Sequence, residues 1–246
     1  MALPPEIRIL DEPAELYMAA AREFASLATQ AIRQRNRFSV ALSGGSTPKG
    51  LYTLLASKDA PSVPWPQVSF FFGDERFVPP DHPDSNFRMA DEALLSKVPV
   101  RAENVFRMRT EEPSPEQVAE QYESVLQSYF ALSPGQFPRF DLILLGLGPD
   151  GHTASLFPCT SALQEKNRLV VSNWVDKLKT NRITFTYPVI NNAAGAMFLV
   201  SGTEKADIVR EVFESAEGHF PAQKVRPTNG KLLWLIDRAA AALLSR

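Results

Sequence analysis

Short apolar segments of β-strand length alternate along this chain with longer segments whose apolar residues recur every three or four positions. The clearest strand-like segments are residues 38–42, 68–72 and 140–145, and the clearest helical ones are residues 13–33, 46–55 and 114–130. Strands that alternate with helices favour parallel pairing, because a helix returns the chain to the same end of the sheet. The predicted fold class is therefore α/β and Rossmann-like, with a mostly parallel sheet and helices on both faces.

Weaker patterns predict the remaining elements. Helices are expected over residues 86–95, 203–213 and 238–244, and strands over residues 169–171, 182–186, 197–200 and 232–236. Two helix starts carry capping signals, since Asp11 precedes Pro13 and residues 114–117 read Ser-Pro-Glu-Gln. The polar residues 73–76 are expected to form a loop.

Charge on the chain is nearly balanced, with 26 Lys and Arg against 28 Asp and Glu residues and a net charge of −2. This balance argues against a broad basic surface, so neither nucleic acid nor a membrane is an expected partner. No apolar stretch approaches the roughly 18 residues of a membrane span, and Pro4 and Pro5 do not fit a signal peptide. The single cysteine, Cys159, fits a reducing compartment, so we expect a cytoplasmic protein.

A glycine-rich turn follows the strand at residues 38–42. Two glycines allow close approach of a ligand, and the start of the next helix exposes backbone N–H groups that favour a phosphate. An ordinary strand-to-helix turn, with Thr47 as cap and Pro48 in the first helical position, is the alternative. The candidate phosphate-binding residues are Ser43, Gly44, Gly45, Ser46 and Thr47.

A second loop places Asp74, Glu75 and Arg76 directly after the strand at residues 68–72. Charges at the end of a buried strand need solvent or partners, so a plain surface loop is one interpretation. If this loop shares a crevice with the glycine-rich turn, Arg76 can hold an anion or stabilise developing negative charge.

A third loop, residues 146–152, reads Gly-Leu-Gly-Pro-Asp-Gly-His and matches the G-x-G-x-x-G pattern of dinucleotide sites. Asp150 would place a carboxylate beside the pyrophosphate, and the next predicted strand is followed by Ser172 and Asn173 instead of an acid for the ribose. Pro158 also cuts the following helix short. A dinucleotide is therefore disfavoured, and no cofactor is expected.

His152 is the candidate catalytic base. It is predicted at the start of a short helical segment, where the helix dipole disfavours the protonated imidazole and leaves a neutral base. A histidine that only bonds to the nearby turn is the alternative. No residues show metal-ligand spacing and no nucleophile elbow is present, so we expect no metal site and water as the nucleophile of a hydrolase.

All three loops follow predicted strands, and ligands of such sheets bind where the carboxyl ends of the strands converge. One crevice can gather all three loops. No cut between these loops leaves a complete site on either side, and we predict one domain over residues 1–246.

Three segments, residues 41–48, 72–79 and 146–158, resemble the 6-phosphogluconolactonases, which belong to a superfamily with glucosamine-6-phosphate deaminase/isomerase. Residues 182–188 and 202–206 resemble them too, so the likeness spans nearly the whole chain. The deaminases carry a glutamate that supports a histidine where this chain has Phe157. The sequence therefore resembles the lactonase branch more than the deaminase branch.

This resemblance implies hydrolysis of 6-phospho-D-glucono-1,5-lactone to 6-phospho-D-gluconate in the oxidative pentose phosphate pathway. His152 would activate water, either Asp150 or Asp74 would orient it, and the phosphate or oxyanion would meet Arg76. Lys205 would close on the phosphate from the side opposite the glycine-rich turn. Further substrate contacts are expected from Asn86 and Arg182.

A sugar-phosphate lactone is therefore the expected small-molecule partner, and the protein is expected to be a monomer or a weak homo-oligomer. Two other functions stay open: a glucosamine-6-phosphate deaminase/isomerase-like enzyme, and a sugar-phosphate-sensing module. Such sensors usually carry a DNA-binding segment, and the sequence shows neither a helix-turn-helix pattern nor a basic face.

Overall fold

The structure, a computed structural model, describes residues 4–216 and 218–245. The strands are β1 (Glu6–Leu10), β2 (Phe38–Leu42), β3 (Val68–Phe72), β4 (Asp74–Arg76), β5 (Leu142–Leu145), β6 (Val170–Val175), β7 (Thr180–Phe185), β8 (Gly195–Val200) and β9 (Lys231–Asp237). The α-helices are α1 (Pro13–Arg35), α2 (Ser46–Leu55), α3 (Asn86–Ala90), α4 (Pro115–Phe130), α5 (Tyr187–Asn191) and α6 (Ala206–Glu214). None of the helices in this part of the chain combines the length and apolarity that a membrane crossing requires.

A parallel sheet in the order β1-β9-β8-β5-β2-β3 forms the centre of the described residues. Its strands β2 and β3 are buried along their whole length, as expected for a sheet covered on both faces. Successive residues alternate between the faces: Phe70 packs with α1 and α2, whereas Phe71 packs with α4 on the other side. The predicted α/β fold with helices on both faces is confirmed.

A small antiparallel sheet in the order β4-β7-β6 stands beside the parallel one. Residues 74–76, predicted as loop, form β4, and the strands predicted near 169–171 and 182–186 pair as the hairpin β6–β7. The sequence pattern identified strands here but not their partners. A connection of only four residues between β6 and β7 is too short for a crossover and requires antiparallel pairing.

Other local differences have simple causes. The helix predicted over residues 238–244 is wrong: this segment forms consecutive turns, held by the Asp237 carboxylate that accepts from the Ala240 N–H at 2.7 Å. Asp11 does not cap α1, because Glu12 occupies the cap position and Asp11 pairs with Arg238 instead. The helix predicted over 86–95 forms as α3 followed by a π turn over Asp91–Leu95.

The start of α4 agrees with its capping signal. The Ser114 hydroxyl accepts a hydrogen bond from the Gln117 N–H at 3.2 Å, and Pro115 occupies the first helical position. This helix packs against β6 and β7 and so supports the antiparallel sheet from one side. Two contacts reinforce it: Ser172 donates to Glu116 at 2.9 Å, and Arg168 pairs with Glu123 at 2.8 Å.

Candidate active site

The loops that follow β2 and β5 meet β4, β7 and the segment after β8 around one cleft of about 230 Å³. The cleft lies at the carboxyl edge of the parallel sheet, where ligands of such folds bind. The predicted site residues that line it are Ser43, Gly44, Gly45, Ser46, Thr47, Asp74, Arg76, His152, Arg182 and Lys205. Two others lie just outside the lining: Asp150 contacts His152, and Asn86 is buried beneath Gly44.

The glycine-rich turn leads directly into α2, which begins at Ser46. Gly45 has a φ of 107°, a conformation that favours glycine. A Cβ at Gly44 would lie 1.9 Å from the Asn86 amide oxygen, so the loop packs against Asn86 only because it has no side chain there. The Tyr52 hydroxyl fixes the turn by accepting from the Ser43 N–H and donating to the Ser43 carbonyl, at 3.0 and 2.9 Å.

One polar atom in this turn faces the cleft without a protein partner. The hydroxyl of Ser43 is buried and has no hydrogen-bond partner among residues 4–216 and 218–245. A buried hydroxyl without a partner is destabilising unless a ligand or water satisfies it. Together with the N-terminus of α2, it presents donors to an anionic group.

Glu75 is a buried carboxylate that holds the second loop together. It accepts hydrogen bonds from the backbone N–H groups of Arg76, Asn86 and Phe87 at 2.7 to 2.8 Å. It also accepts from the Ser85 hydroxyl at 3.2 Å. Burial raises the pKa of Glu75, although these donors oppose the shift. Glu75 therefore ties β4 to the start of α3 and fixes the positions of Asp74 and Arg76 on either side.

His152 is held by its neighbours on several sides. Its Nδ1 lies 2.5 Å from an Asp150 oxygen, and its ring stacks on Phe157 at a centroid distance of 3.9 Å. A Cβ at Gly148 would come within 2.0 Å of the imidazole, so the glycine permits this ring position. The helix predicted to begin at His152 is absent from residues 151–157, which form turns, so the helix-dipole explanation is wrong. The Asp150 carboxylate, and not a helix terminus, orients the imidazole.

The second Asp150 oxygen accepts a hydrogen bond from the Lys177 ammonium group. Partial burial alone would raise the pKa of Asp150, but the hydrogen bonds from His152 and Lys177 outweigh it and hold that pKa far below its usual range. Asp150 is thus ionised and oriented to accept a proton from Nδ1, and in that tautomer of a neutral imidazole Nε2 is the proton acceptor.

Asp74 has a different set of partners. One of its carboxylate oxygens accepts from the Ser155 hydroxyl at 2.7 Å, and its carbonyl accepts from the Asn86 amide at 2.9 Å. Of the two carboxylates that the sequence offered as partners of the histidine, the structure therefore places Asp150 on the imidazole and Asp74 on Ser155.

Three cationic side chains border the cleft. Arg76 and Arg182 are directly opposite each other on β4 and β7, and Lys205 donates to the Leu147 carbonyl at 2.8 Å. Burial lowers the pKa of Arg182, and the like charge of Arg76 lowers it further. Within the described part of the chain, Nε and Nη1 of Arg182 are buried without hydrogen-bond partners. The carboxylates of Asp74, Glu75 and Asp84 offset part of this positive charge, and an anion in the cleft would satisfy the unpaired donors of Arg182.

Some residues of the site escaped sequence reasoning. Lys177 lies in a turn remote from the recognised loops, and no pattern marked it. Ser155 stands within the recognised third segment but received no role. Over residues 4–216 and 218–245, no group of three or more His, Cys, Asp or Glu side chains is arranged to hold a metal ion.

Known proteins share sequence similarity with most of this chain. The family model described as glucosamine-6-phosphate isomerases/6-phosphogluconolactonase matches residues 11–234. A 6-phosphogluconolactonase from Nostoc sp. is 47% identical over 217 residues, covering 87% of this chain and 88% of its own length. The 6-phosphogluconolactonase of Rattus norvegicus is 37% identical, with coverage of 98% and 95%.

Solved structures of similar proteins have the same fold as this chain. The 6-phosphogluconolactonase of Trypanosoma brucei superposes with a TM-score of 0.86 at 32% identity, covering 99% of this chain and all of that one. A monomeric glucosamine-6-phosphate deaminase shares the fold, with a TM-score of 0.78 at 22% identity over 97% and 99% of the two chains. The chain belongs to the family of glucosamine-6-phosphate isomerases and 6-phosphogluconolactonases.

Proposed function

We propose that this chain hydrolyses 6-phospho-D-glucono-1,5-lactone to 6-phospho-D-gluconate, as a step of the oxidative pentose phosphate pathway. The observation that carries the proposal is the Asp150–His152 pair, set beside three cationic side chains in one cleft. The lactonase names of the relatives at 47% and 37% identity support it. The expected partner is a small sugar-phosphate lactone.

His152 acts as the general base in this proposal. With Nδ1–H directed to Asp150, Nε2 takes a proton from a water molecule as the water oxygen attacks the lactone carbonyl carbon. The tetrahedral intermediate then collapses, the bond from that carbon to the ring oxygen breaks, and the imidazolium returns its proton to the ring oxygen. Water and lactone thus give the open-chain acid with no other reactant.

The anionic parts of the substrate match the donors of the cleft. The phosphate rests on Gly44–Thr47 at the N-terminus of α2, with Lys205 on the other side. Arg76 meets either the phosphate or the oxyanion of the intermediate, because its guanidinium donates several fixed N–H groups. Arg182 lies next to it and has unpaired donors to offer the same anion.

Phe157 favours a lactonase over an aldose–ketose isomerase or deaminase. Its ring stacks on the imidazole at an interplanar angle of 25°, in the position where the sequence resemblance puts a glutamate in deaminases. A phenyl ring can neither accept a proton nor accept a hydrogen bond from an imidazole N–H. It therefore cannot support a histidine that assists opening of the sugar ring, as the glutamate of the deaminases does. The site therefore fits ester hydrolysis better than amino-sugar chemistry.

The proposal also includes a compartment, a domain organisation and an oligomeric state. We place the reaction in the cytoplasm, carried out by residues 1–246 as a single domain, in a monomer or a weak homo-oligomer. The near-neutral charge and the single cysteine are the observations behind the compartment.

An assay with freshly generated 6-phosphogluconolactone tests the function. Formation of 6-phosphogluconate is followed through a coupled dehydrogenase, with the spontaneous hydrolysis of the lactone subtracted. We expect saturable acceleration by the purified chain. Glucosamine 6-phosphate is the second arm: ammonia release there, with no acceleration of lactone hydrolysis, would replace the lactonase with a deaminase. No activity in either arm would favour the sensing module.

A further inference from the structure

The turn between β6 and β7 brings Lys177 to the side of Asp150 that faces away from His152. Its ammonium group donates to the Asp150 oxygen that His152 does not use, and it lies 4.9 Å above the Phe157 ring. Phe157 in turn stacks on His152. Four side chains therefore form a closed ring of contacts that includes the imidazole: Lys177, Asp150, His152 and Phe157.

We propose that Lys177 is a positioning residue for catalysis, which holds Asp150 and Phe157 in the arrangement that aims His152 at the substrate. The proposal rests on the role of His152 as base in the proposed function. Lys177 itself touches no reacting atom: it acts by occupying one carboxylate oxygen so that the other stays directed to Nδ1.

The geometry explains why Asp150 needs this second partner. Without Lys177, Asp150 would keep only its contacts with His152, from Nδ1 and, at 3.4 Å, from the backbone N–H, both on one oxygen. The other oxygen would have no partner, and rotation about the side-chain torsions could exchange the two oxygens at the imidazole. With both oxygens engaged, rotation breaks two charge-assisted hydrogen bonds at once. Lys177 also places its charge on the Phe157 face, which favours the ring position that stacks on His152.

Lys177 is too exposed to serve mainly as a source of stability. Its side chain is 48% exposed, and ion pairs at that exposure contribute little to folding because solvent screens them. Removal of the Lys177 ammonium group should therefore change kcat more than the free energy of unfolding. Misplacing a reacting group by about 1 Å can cost about 10²-fold in rate, and loss of one Asp150 partner is a smaller disturbance.

The test compares three lysine variants of the full chain. Lys177→Met keeps the stem over Phe157 but removes the donor, and we expect kcat to fall roughly 10-fold with KM unchanged. Lys177→Arg can donate to the same oxygen and should restore most of the loss. Lys179→Met is the matched control, since Lys179 lies in the same hairpin, pairs with Asp176 at 2.8 Å and is 73% exposed, and its kcat should stay at the wild-type value.

A spectroscopic readout separates positioning from general damage. The chain has three histidines, so the ring N–H resonance of His152 can be assigned by its loss in His152→Asn. In wild type, an Nδ1–H proton bonded to Asp150 should be protected from exchange with water. We expect that protection to decrease in Lys177→Met and to return in Lys177→Arg.

The outcomes separate this proposal from the proposed function. If wild type does not hydrolyse the lactone, the function itself fails. If wild type is active and His152→Asn is not, but Lys177→Met keeps wild-type kcat and the protected proton, only the role of Lys177 is overturned. An equal loss in Lys177→Met and Lys179→Met also overturns it, because the effect then belongs to hairpin charge in general.

Discussion

The two sheets contribute to the cleft in different ways. The parallel sheet is mostly apolar where it is buried, and the loops after β2 and β5 carry its functional groups. The antiparallel sheet carries charges on the strands themselves, with Asp74 and Arg76 on β4 and Arg182 opposite Arg76 on β7. The first sheet thus supplies most of the buried core, and the second places charged side chains at the cleft. Substitutions in the strands of the parallel sheet should therefore mainly change the free energy of unfolding. Substitutions of the charged residues on the antiparallel sheet should mainly change kcat or KM.

The largest expected effect on folding lies in the core of the parallel sheet. Phe71 is fully buried, with its ring 4.6 Å from that of Phe106 and 5.2 Å from that of Phe140. Phe71→Ala should lower the free energy of unfolding by about 3–5 kcal/mol, because it leaves a cavity. Urea denaturation measures the loss. Ile9→Ala on edge strand β1, where Ile9 is 51% exposed, is the control. Equal losses in both variants would contradict the buried core of the parallel sheet as the main source of its stability.

The next effect lies in the loop after β5 and distinguishes the two candidate carboxylates. Asp150→Asn should lower kcat by at least about 10²-fold, since an amide there no longer enforces the Nδ1–H tautomer. Asp74→Asn is the matched change on the antiparallel sheet. It should leave the protected His152 ring proton in place, because Asp74 bonds to Ser155. Loss of that proton signal in Asp74→Asn and its survival in Asp150→Asn would reverse the assignment.

Lys205 tests whether a cationic side chain of the cleft serves substrate binding or the chemical step. Lys205→Ala should raise KM about 10-fold and leave kcat nearly unchanged, because phosphate contacts are shared by ground and transition states. Steady-state kinetics on fresh lactone gives both constants. Lys49→Ala, on the exposed side of α2, is the control and should change neither. If kcat fell while KM stayed constant, Lys205 would belong to the chemistry instead.

The smallest effect concerns the support of the antiparallel sheet. Ser114→Ala removes the hydrogen bond to the Gln117 N–H and should lower stability by about 1 kcal/mol through α4. Ser128→Ala on the exposed face of the same helix should cost less, since alanine is a better helix former and Ser128 caps nothing. Thermal unfolding of the two variants checks this. Equal unfolding midpoints would mean that the cap does not contribute.

Much of the parallel sheet was predictable from the sequence. The strands at 38–42 and 68–72 formed within their predicted bounds, because short, mostly apolar runs bounded by glycine or polar residues carry a strong local signal. The long helices α1 and α4 followed from their periodicity. Convergence of the loops at one edge followed from parallel strand direction alone.

The antiparallel sheet was largely not predictable, because its pairing depends on residues distant in sequence. Asp74–Arg76 is too short and too charged to resemble a strand, and β7 alone makes it one. Lys177 reaches Asp150 only through the hairpin, so no local motif marked it. The helix expected over residues 238–244 failed because a buried carboxylate, that of Asp237, holds its backbone in turns.

The most direct test of the account is turnover by His152→Ala on freshly generated 6-phosphogluconolactone, beside wild type in the same coupled assay. If the Asp150–His152 pair supplies the base, kcat should fall by about 10² to 10⁴-fold while the variant remains folded. Near-normal kcat in a folded His152→Ala variant would contradict the assignment of this pair as the catalytic base.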